Sequence, residues 1–281
     1  MTYATIVSPS VLAAHTDSSW AIVDCRFDIQ HEDRGQELYR AGHIPTAVYA
    51  HLTRDLSGPT TGTNGRHPLP AVDAFAATLG RLGIDRSTQV VAYDQDVGMF
   101  AARFWWMLRH MGHDAVAVLD GGLERWIADG NPVTLGEESR PAATFAPAPR
   151  PDMVAGIDAV TSASATRRAL LVDARAPERF RGESETIDRA AGHIPGAVNH
   201  FFRRNTAPDG TMLPPEALRE QFADLLAGQD PLETVMYCGS GVTACHNLLA
   251  MAHAGLPGAR LYPGSWSEWS SDPDRPVETD P

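Results

Sequence analysis

The sequence has no lysine: all 23 basic residues among its 281 are arginine. That absence excludes lysine Schiff bases, lysine-bound pyridoxal phosphate and the phosphate-binding lysine of P-loops. Cysteine is scarce. Cys25, Cys238 and Cys245 are too few for a disulfide framework, so free thiols in a reducing, cytoplasmic setting are expected. There is no apolar run of the roughly 18 residues that a membrane span needs. Residues Met1 to Ser10 show neither the basic nor the apolar region of a signal peptide. Basic residues are outnumbered 23 to 35, a net charge of −12, which argues against a nucleic-acid partner.

What is present is a repeat. Ala21-Ile22-Val23-Asp24-Cys25-Arg26 is answered by Leu170-Leu171-Val172-Asp173-Ala174-Arg175, and Gly42-His43-Ile44-Pro45 by Gly192-His193-Ile194-Pro195. Val90-Val91-Ala92-Tyr93-Asp94 corresponds to Thr234-Val235-Met236-Tyr237-Cys238. Leu119-Asp120-Gly121-Gly122 with Trp126 corresponds to Leu261-Tyr262-Pro263-Gly264 with Trp269. Four matches in one order, about 145 residues apart, indicate a duplicated domain rather than a solenoid. The proline- and alanine-rich stretch within 136–152 favours an extended connection over a packed element. The expected organisation is an N-terminal domain over 1–138, a linker over 139–152 and a C-terminal domain over 153–281.

Apolar runs at 21–23, 90–93, 116–119, 169–172, 233–237 and 259–262 predict buried strands. Ser8-Pro9 has the form of an N-cap followed by a first-turn proline. Segments 71–82, 99–110 and 242–254 predict helices. This alternation predicts an α/β fold, two domains each with a mostly parallel sheet covered by helices on both faces. Ligands in such sheets lie beyond the carboxyl ends of strands, which directs attention to Tyr93-Asp94 and Tyr237-Cys238.

The loop Cys238-Gly239-Ser240-Gly241-Val242-Thr243 joins a strand to a helix. Its glycines let the backbone curl, and a curled loop above a helix start aims several N–H groups at one point. Such a nest stabilises a thiolate, the nucleophilic form of cysteine. The alternative reading of Cys238 is a small buried residue at a strand end. Cys25 and Cys245 are read as core, the latter with a minority reading as a resolving thiol. A cysteine phosphatase needs an arginine six residues on, where this chain has Ala244. A hydrolase would need a positioned histidine, and His246 on the same helix should face away. Zinc spacing is absent, so no metal is expected.

The loop, the paired Gly-His-Ile-Pro segments, the Val-Asp-x-Arg strand ends and Gly264-Ser265-Trp266 together resemble the tandem-domain sulfurtransferases of the rhodanese superfamily. The loop is most similar to that of the 3-mercaptopyruvate sulfurtransferases. Thiosulfate-specific members more often carry Cys-Arg-Lys-Gly-Val-Thr, whereas here Gly239 and Ser240 are neutral. The resemblance implies a Cys238 persulfide formed without a cofactor from a small anionic donor. Its sulfur passes to a thiophilic acceptor such as cyanide, a thiol or thioredoxin. It also implies that Arg179 holds the donor carboxylate and that Gly239, Gly241, Val242 and Thr243 bind through the loop backbone. A second arginine is usual further on, and Arg189 is the nearest. His67, reaching from the first domain, is implied to work with Ser240 and an aspartate. That aspartate position holds Thr53, with Asp55 nearby. Asp94 replaces the cysteine in the first repeat, which predicts a single active site at the domain interface, on the C-terminal domain. Asp94 with Asp96 leaves a cation site as a lesser reading, and His43 and His193 are read as structural. Two alternatives remain: thiosulfate as donor through the same persulfide, and a non-catalytic binding module.

Overall fold

The computed structural model describes residues 2–16 and 20–279. Among these residues, nine strands form two sheets: β1 (Ile6–Val7), β2 (Ala21–Asp24), β3 (Val48–Tyr49), β4 (Val90–Tyr93) and β5 (Val116–Leu119) in one, and β6 (Leu170–Asp173), β7 (Val198–Asn199), β8 (Thr234–Tyr237) and β9 (Arg260–Leu261) in the other. Their orders are β1-β5-β4-β2-β3 and β7-β6-β8-β9, and every pairing is parallel. The five strands with a sheet neighbour on each side, β2, β4, β5, β6 and β8, are buried almost throughout, as strands covered on both faces must be. The second sheet places Val154 beside Leu261 as a single parallel bridge, where the first has the full strand β1.

The duplication extends to register. Asp24 pairs with Tyr93 and Asp173 with Tyr237, so each sheet brings an aspartate and a tyrosine side by side at its carboxyl edge. The six expected strands are present. The two-residue strands β1, β3 and β7 are too short to leave an alternation in the sequence. The expected helices occur at Pro9–Ala13, Val72–Arg81, Met99–His110 and Thr243–His253. The Ser8 hydroxyl accepts from the Val11 N–H at 3.4 Å, as an N-cap does.

The chain divides into two compact units. The first comprises the chain up to Gly58, Pro70–Arg150 and Thr206–Met212; the second comprises Pro59–Leu69, Pro151–Asn205 and Leu213 onward. One segment of the first repeat, Pro59–Leu69, therefore folds as part of the second unit. The core of the first unit gathers Ile22, Ile44, Val91, Tyr93 and Trp126. The core of the second gathers their counterparts Leu171, Ile194, Val235, Tyr237 and Trp269. Residues 137–150 form no helix or strand, and they are tied to the first unit. The N–H groups of Ala143, Ala148 and Arg150 donate to the carbonyls of Gly80, Met111 and His110, and Phe145 is buried against His113.

Candidate active site

The carboxyl edge of the second sheet is built on a buried ion pair. Arg175 turns back onto Asp173, its Nε and Nη2 donating to Asp173 Oδ2 at 3.0 and 2.6 Å, while Nη2 also reaches the Gly192 carbonyl at 2.7 Å. Burial works against the Arg175 charge, but Asp173 outweighs it and the guanidinium pKa lies above its ordinary value. The Arg175 guanidinium also lies 4.8 Å from the centre of the Trp266 ring, a favourable cation–π arrangement. Arg26 repeats the bonds to Asp24 and to the Gly42 carbonyl in the first unit. The Val-Asp-x-Arg motif thus locks a strand end to the Gly-His-Ile-Pro turn.

Cys238 follows β8 directly and is 2% exposed. Its N–H donates to Ser265 Oγ at 3.1 Å, and its carbonyl accepts from the Trp266 N–H at 2.9 Å. The Gly239 carbonyl accepts from the Ser267 N–H at 2.9 Å. The start of the short helix Ser265–Trp269 therefore pins the base of the loop. Ser265 adopts φ +54°, a conformation uncommon for a side-chain-bearing residue, and its hydroxyl donates to the Tyr262 carbonyl at 2.9 Å. Gly241 has φ +74°, and a Cβ there would meet the Pro263 carbonyl oxygen at 2.5 Å, so only glycine fits. Among the described residues, the N–H groups of Gly239, Ser240 and Val242 find no acceptor.

The segment Pro59–Leu69 brings two side chains to this loop. His67 Nδ1 and Ser240 Oγ are 2.9 Å apart, and both residues are buried. The Arg66 N–H donates to Ser267 Oγ at 3.1 Å. Gly65, at φ +84°, permits this approach, because a Cβ there would lie 2.8 Å from the Gly264 carbonyl oxygen. Arg66 also pairs through Nη1 with Asp188 Oδ1. Asp188 Oδ2 accepts from Arg179 Nη2 at 3.0 Å, and Glu185 takes both Nε and Nη2 of Arg179. Glu185 and Asp188 are each 3% exposed at the side chain, so their charges require these partners. Burial lowers the Arg66 guanidinium from its ordinary value, and the charge of Cys238 opposes that shift.

This doubled parallel sheet with a cysteine loop on one unit agrees with the comparisons. The family model described as "Rhodanese-like domain" matches residues 8–129 and 157–272. The chain belongs to the rhodanese-like domain family. It is 48% identical, over 99% of both chains, to a Pseudomonas aeruginosa protein named "Probable 3-mercaptopyruvate sulfurtransferase". It is 35% identical to the thiosulfate sulfurtransferase of Rattus norvegicus, over 94% of this chain and 89% of the rat protein. The crystal structure of the Escherichia coli 3-mercaptopyruvate sulfotransferase SseA matches with TM-score 0.82 and 33% identity, over 95% of this chain and all of SseA.

The first rhodanese-like unit carries an anion of its own where the second carries Cys238. Asp94 is 1% exposed, and its carboxylate accepts from the N–H groups of Gly98, Phe100 and Ala101 at 2.8, 2.7 and 3.2 Å. Burial raises this carboxyl to about 6, against the pull of those donors. Its carbonyl accepts from the Leu123 N–H, as that of Cys238 does from Trp266. The described residues contain no group of three or more His, Cys, Asp or Glu side chains placed to hold a metal ion.

The other residues singled out from the sequence fall in separate places. Arg189 is exposed, and its Nη1 donates to the Ser271 carbonyl at 3.1 Å rather than joining the arginines near Gly239. The Asp55 carboxylate accepts from the His51 N–H at 2.8 Å and pairs with Arg81. His43 and His193 are buried, with Nδ1 at 2.8 Å from the carbonyls of Tyr39 and Phe180. Cys25 is buried, and Cys245 is buried with its Sγ 3.3 Å from the Gly241 carbonyl. His246 is buried, with its Nδ1 3.3 Å from Asn205 Nδ2. No sequence motif marks Arg66, Glu185 or Asp188, and Ser265 is marked only as part of Gly264-Ser265-Trp266. The only sequence signal for Arg66 and Asp188 is an unmatched pair of opposite charges 122 residues apart.

Proposed function

We propose that the chain is a sulfurtransferase that takes a sulfane sulfur from 3-mercaptopyruvate onto Cys238 and passes it to a thiophilic acceptor. The Cys238 thiolate attacks the donor sulfur. An S–S bond forms and the C–S bond breaks, its electrons passing to the carbon of the departing pyruvate enolate. That carbon takes a proton, and the enzyme keeps a persulfide. A nucleophilic acceptor (cyanide, a small thiol or thioredoxin) then takes the outer sulfur and restores the thiolate. Arg179 holds the donor carboxylate through Nη1, the guanidinium nitrogen not bonded to Glu185 or Asp188. The unpaired N–H groups of the loop stabilise charge on the persulfide. The residues' own chemistry accounts for each step without a metal or organic cofactor. The three free, buried cysteines fit a reducing, cytoplasmic setting.

The observation that carries the choice of donor is the 2.9 Å contact between Ser240 and His67, two residues beyond the nucleophile. Pyruvate leaves as an enolate and needs a proton, which a hydroxyl coupled to an imidazole can deliver. Sulfite leaves thiosulfate as a stable anion and needs none. One observation favours the second reading, thiosulfate as donor: Arg66 places a cation beside the neutral Gly239. Steady-state turnover with each donor, using cyanide as acceptor, decides between them. The expected result is the larger kcat/KM for 3-mercaptopyruvate, and a clear preference for thiosulfate would reverse the assignment.

A further inference from the structure

Arg66 keeps two guanidinium nitrogens, and Arg179 one, out of every bond described so far. Arg66 spends Nη1 on Asp188, and its buried Nε finds no acceptor among the described residues. Its Nη2 lies 2.9 Å from the point that a Cβ on Gly239 would occupy. Arg179 spends Nε and Nη2 on Glu185 and Asp188, and its Nη1 lies 3.7 Å from that same point. Asp188 bridges the two through one oxygen each, which fixes both forks.

We propose that Arg66 is a specificity-determining residue of the sulfur-transfer site, forming with Arg179 a two-arginine clamp for the anionic group of the donor above Gly239. The inference rests on the sulfurtransferase reading. It adds a cation from a segment that the first repeat contributes to the second unit, in place of Arg189. Gly239 is neutral and small for the same reason: a side chain there would fill the space the anion takes and press on Arg66. Asp188 positions both arginines while competing with the donor for them.

The test compares wild type with Arg66→Gln, Arg66→Lys and Asp188→Asn. Each is assayed for kcat and KM with 3-mercaptopyruvate and with thiosulfate, and thermal unfolding checks that it folds. The clamp predicts that Arg66→Gln raises the donor KM by about tenfold or more with a smaller change in kcat. It predicts that Asp188→Asn, which removes the competing carboxylate, leaves KM within about threefold or lowers it. Arg66→Lys should fall between wild type and Arg66→Gln and serves if the latter does not fold. An Arg66→Gln effect on 3-mercaptopyruvate alone identifies a carboxylate clamp; an effect on both donors identifies a general anion clamp. If Arg66→Gln and Asp188→Asn raise KM equally, or Arg66→Gln leaves it unchanged, Arg66 is only a structural partner of Asp188. Intact mass separates this from failure of the parent reading: wild type that gains no sulfur from either donor removes both.

Discussion

His67 and Ser240 stand 173 positions apart in the chain and share one contact of 2.9 Å. If the pair delivers one proton, its members act as a unit and their losses do not multiply. Ser240→Ala and His67→Gln should each slow persulfide formation from 3-mercaptopyruvate by about 10²-fold. The double variant should be no slower than about threefold below the worse single variant. Loading rates from single-turnover mass measurements check this, and multiplicative losses would show that the two residues act separately. Thiosulfate should be affected less, because its leaving group carries no proton. The residue types were legible before the fold: a cysteine between a strand and a helix, two glycines, a serine and an arginine. Arg66 was not, because its partner Asp188 becomes a neighbour only when Pro59–Leu69 joins the second unit.

At the scale of the element, both units use one device: a short helix donates N–H groups to the carbonyls at the foot of the loop after the central strand. The first unit starts that helix with Gly122 at φ +58°, and the second uses Ser265 at φ +54°. Serine is strained there, and in compensation its hydroxyl holds the Cys238 N–H and the Tyr262 carbonyl. Ser265→Ala keeps the strain and orphans a buried N–H, so it should destabilise the protein by about 1–2 kcal/mol. Ser265→Gly relieves the strain and should cost less. Chemical denaturation of both variants checks the order, and a milder effect of alanine would contradict it. The long strands and the four helices were legible because their apolar periodicity spans enough residues. The two-residue strands β1, β3 and β7 were not, and the anchorage of 137–150 was hidden because backbone outside helices and strands, bonded to turns, leaves no periodic trace.

For the whole molecule, the duplication has left one nest for a cysteine and one filled by the chain's own carboxylate. Asp94 keeps its proton up to about pH 6 in the folded state, against about 3.8 for an unperturbed carboxyl. Between those values the folded state binds more protons than the unfolded chain, so this group's stabilisation is complete below 3.8 and is lost as pH rises through 6. The span amounts to on the order of 3 kcal/mol. Denaturation of wild type and Asp94→Asn across this window should show wild type losing stability relative to the variant as pH rises. A drift in the opposite sense would mean that the three N–H donors outweigh burial. The net charge of −12 does not set the field near Gly239, where Arg66 Nη2 stands nearest, at 2.9 Å from the Cβ position, with Arg179 Nη1 at 3.7 Å and Asp188 Oδ2 at 3.8 Å. With Asp94 unable to carry sulfur, the proposed function makes Cys238 the single loading site. The most direct measurement is therefore the intact mass of wild type and Cys238→Ser after treatment with 3-mercaptopyruvate and removal of excess donor. The account predicts a gain of one sulfur atom per wild-type chain, reversed by cyanide, and no gain in Cys238→Ser; an unmodified wild type, or equal gain in the variant, would contradict it.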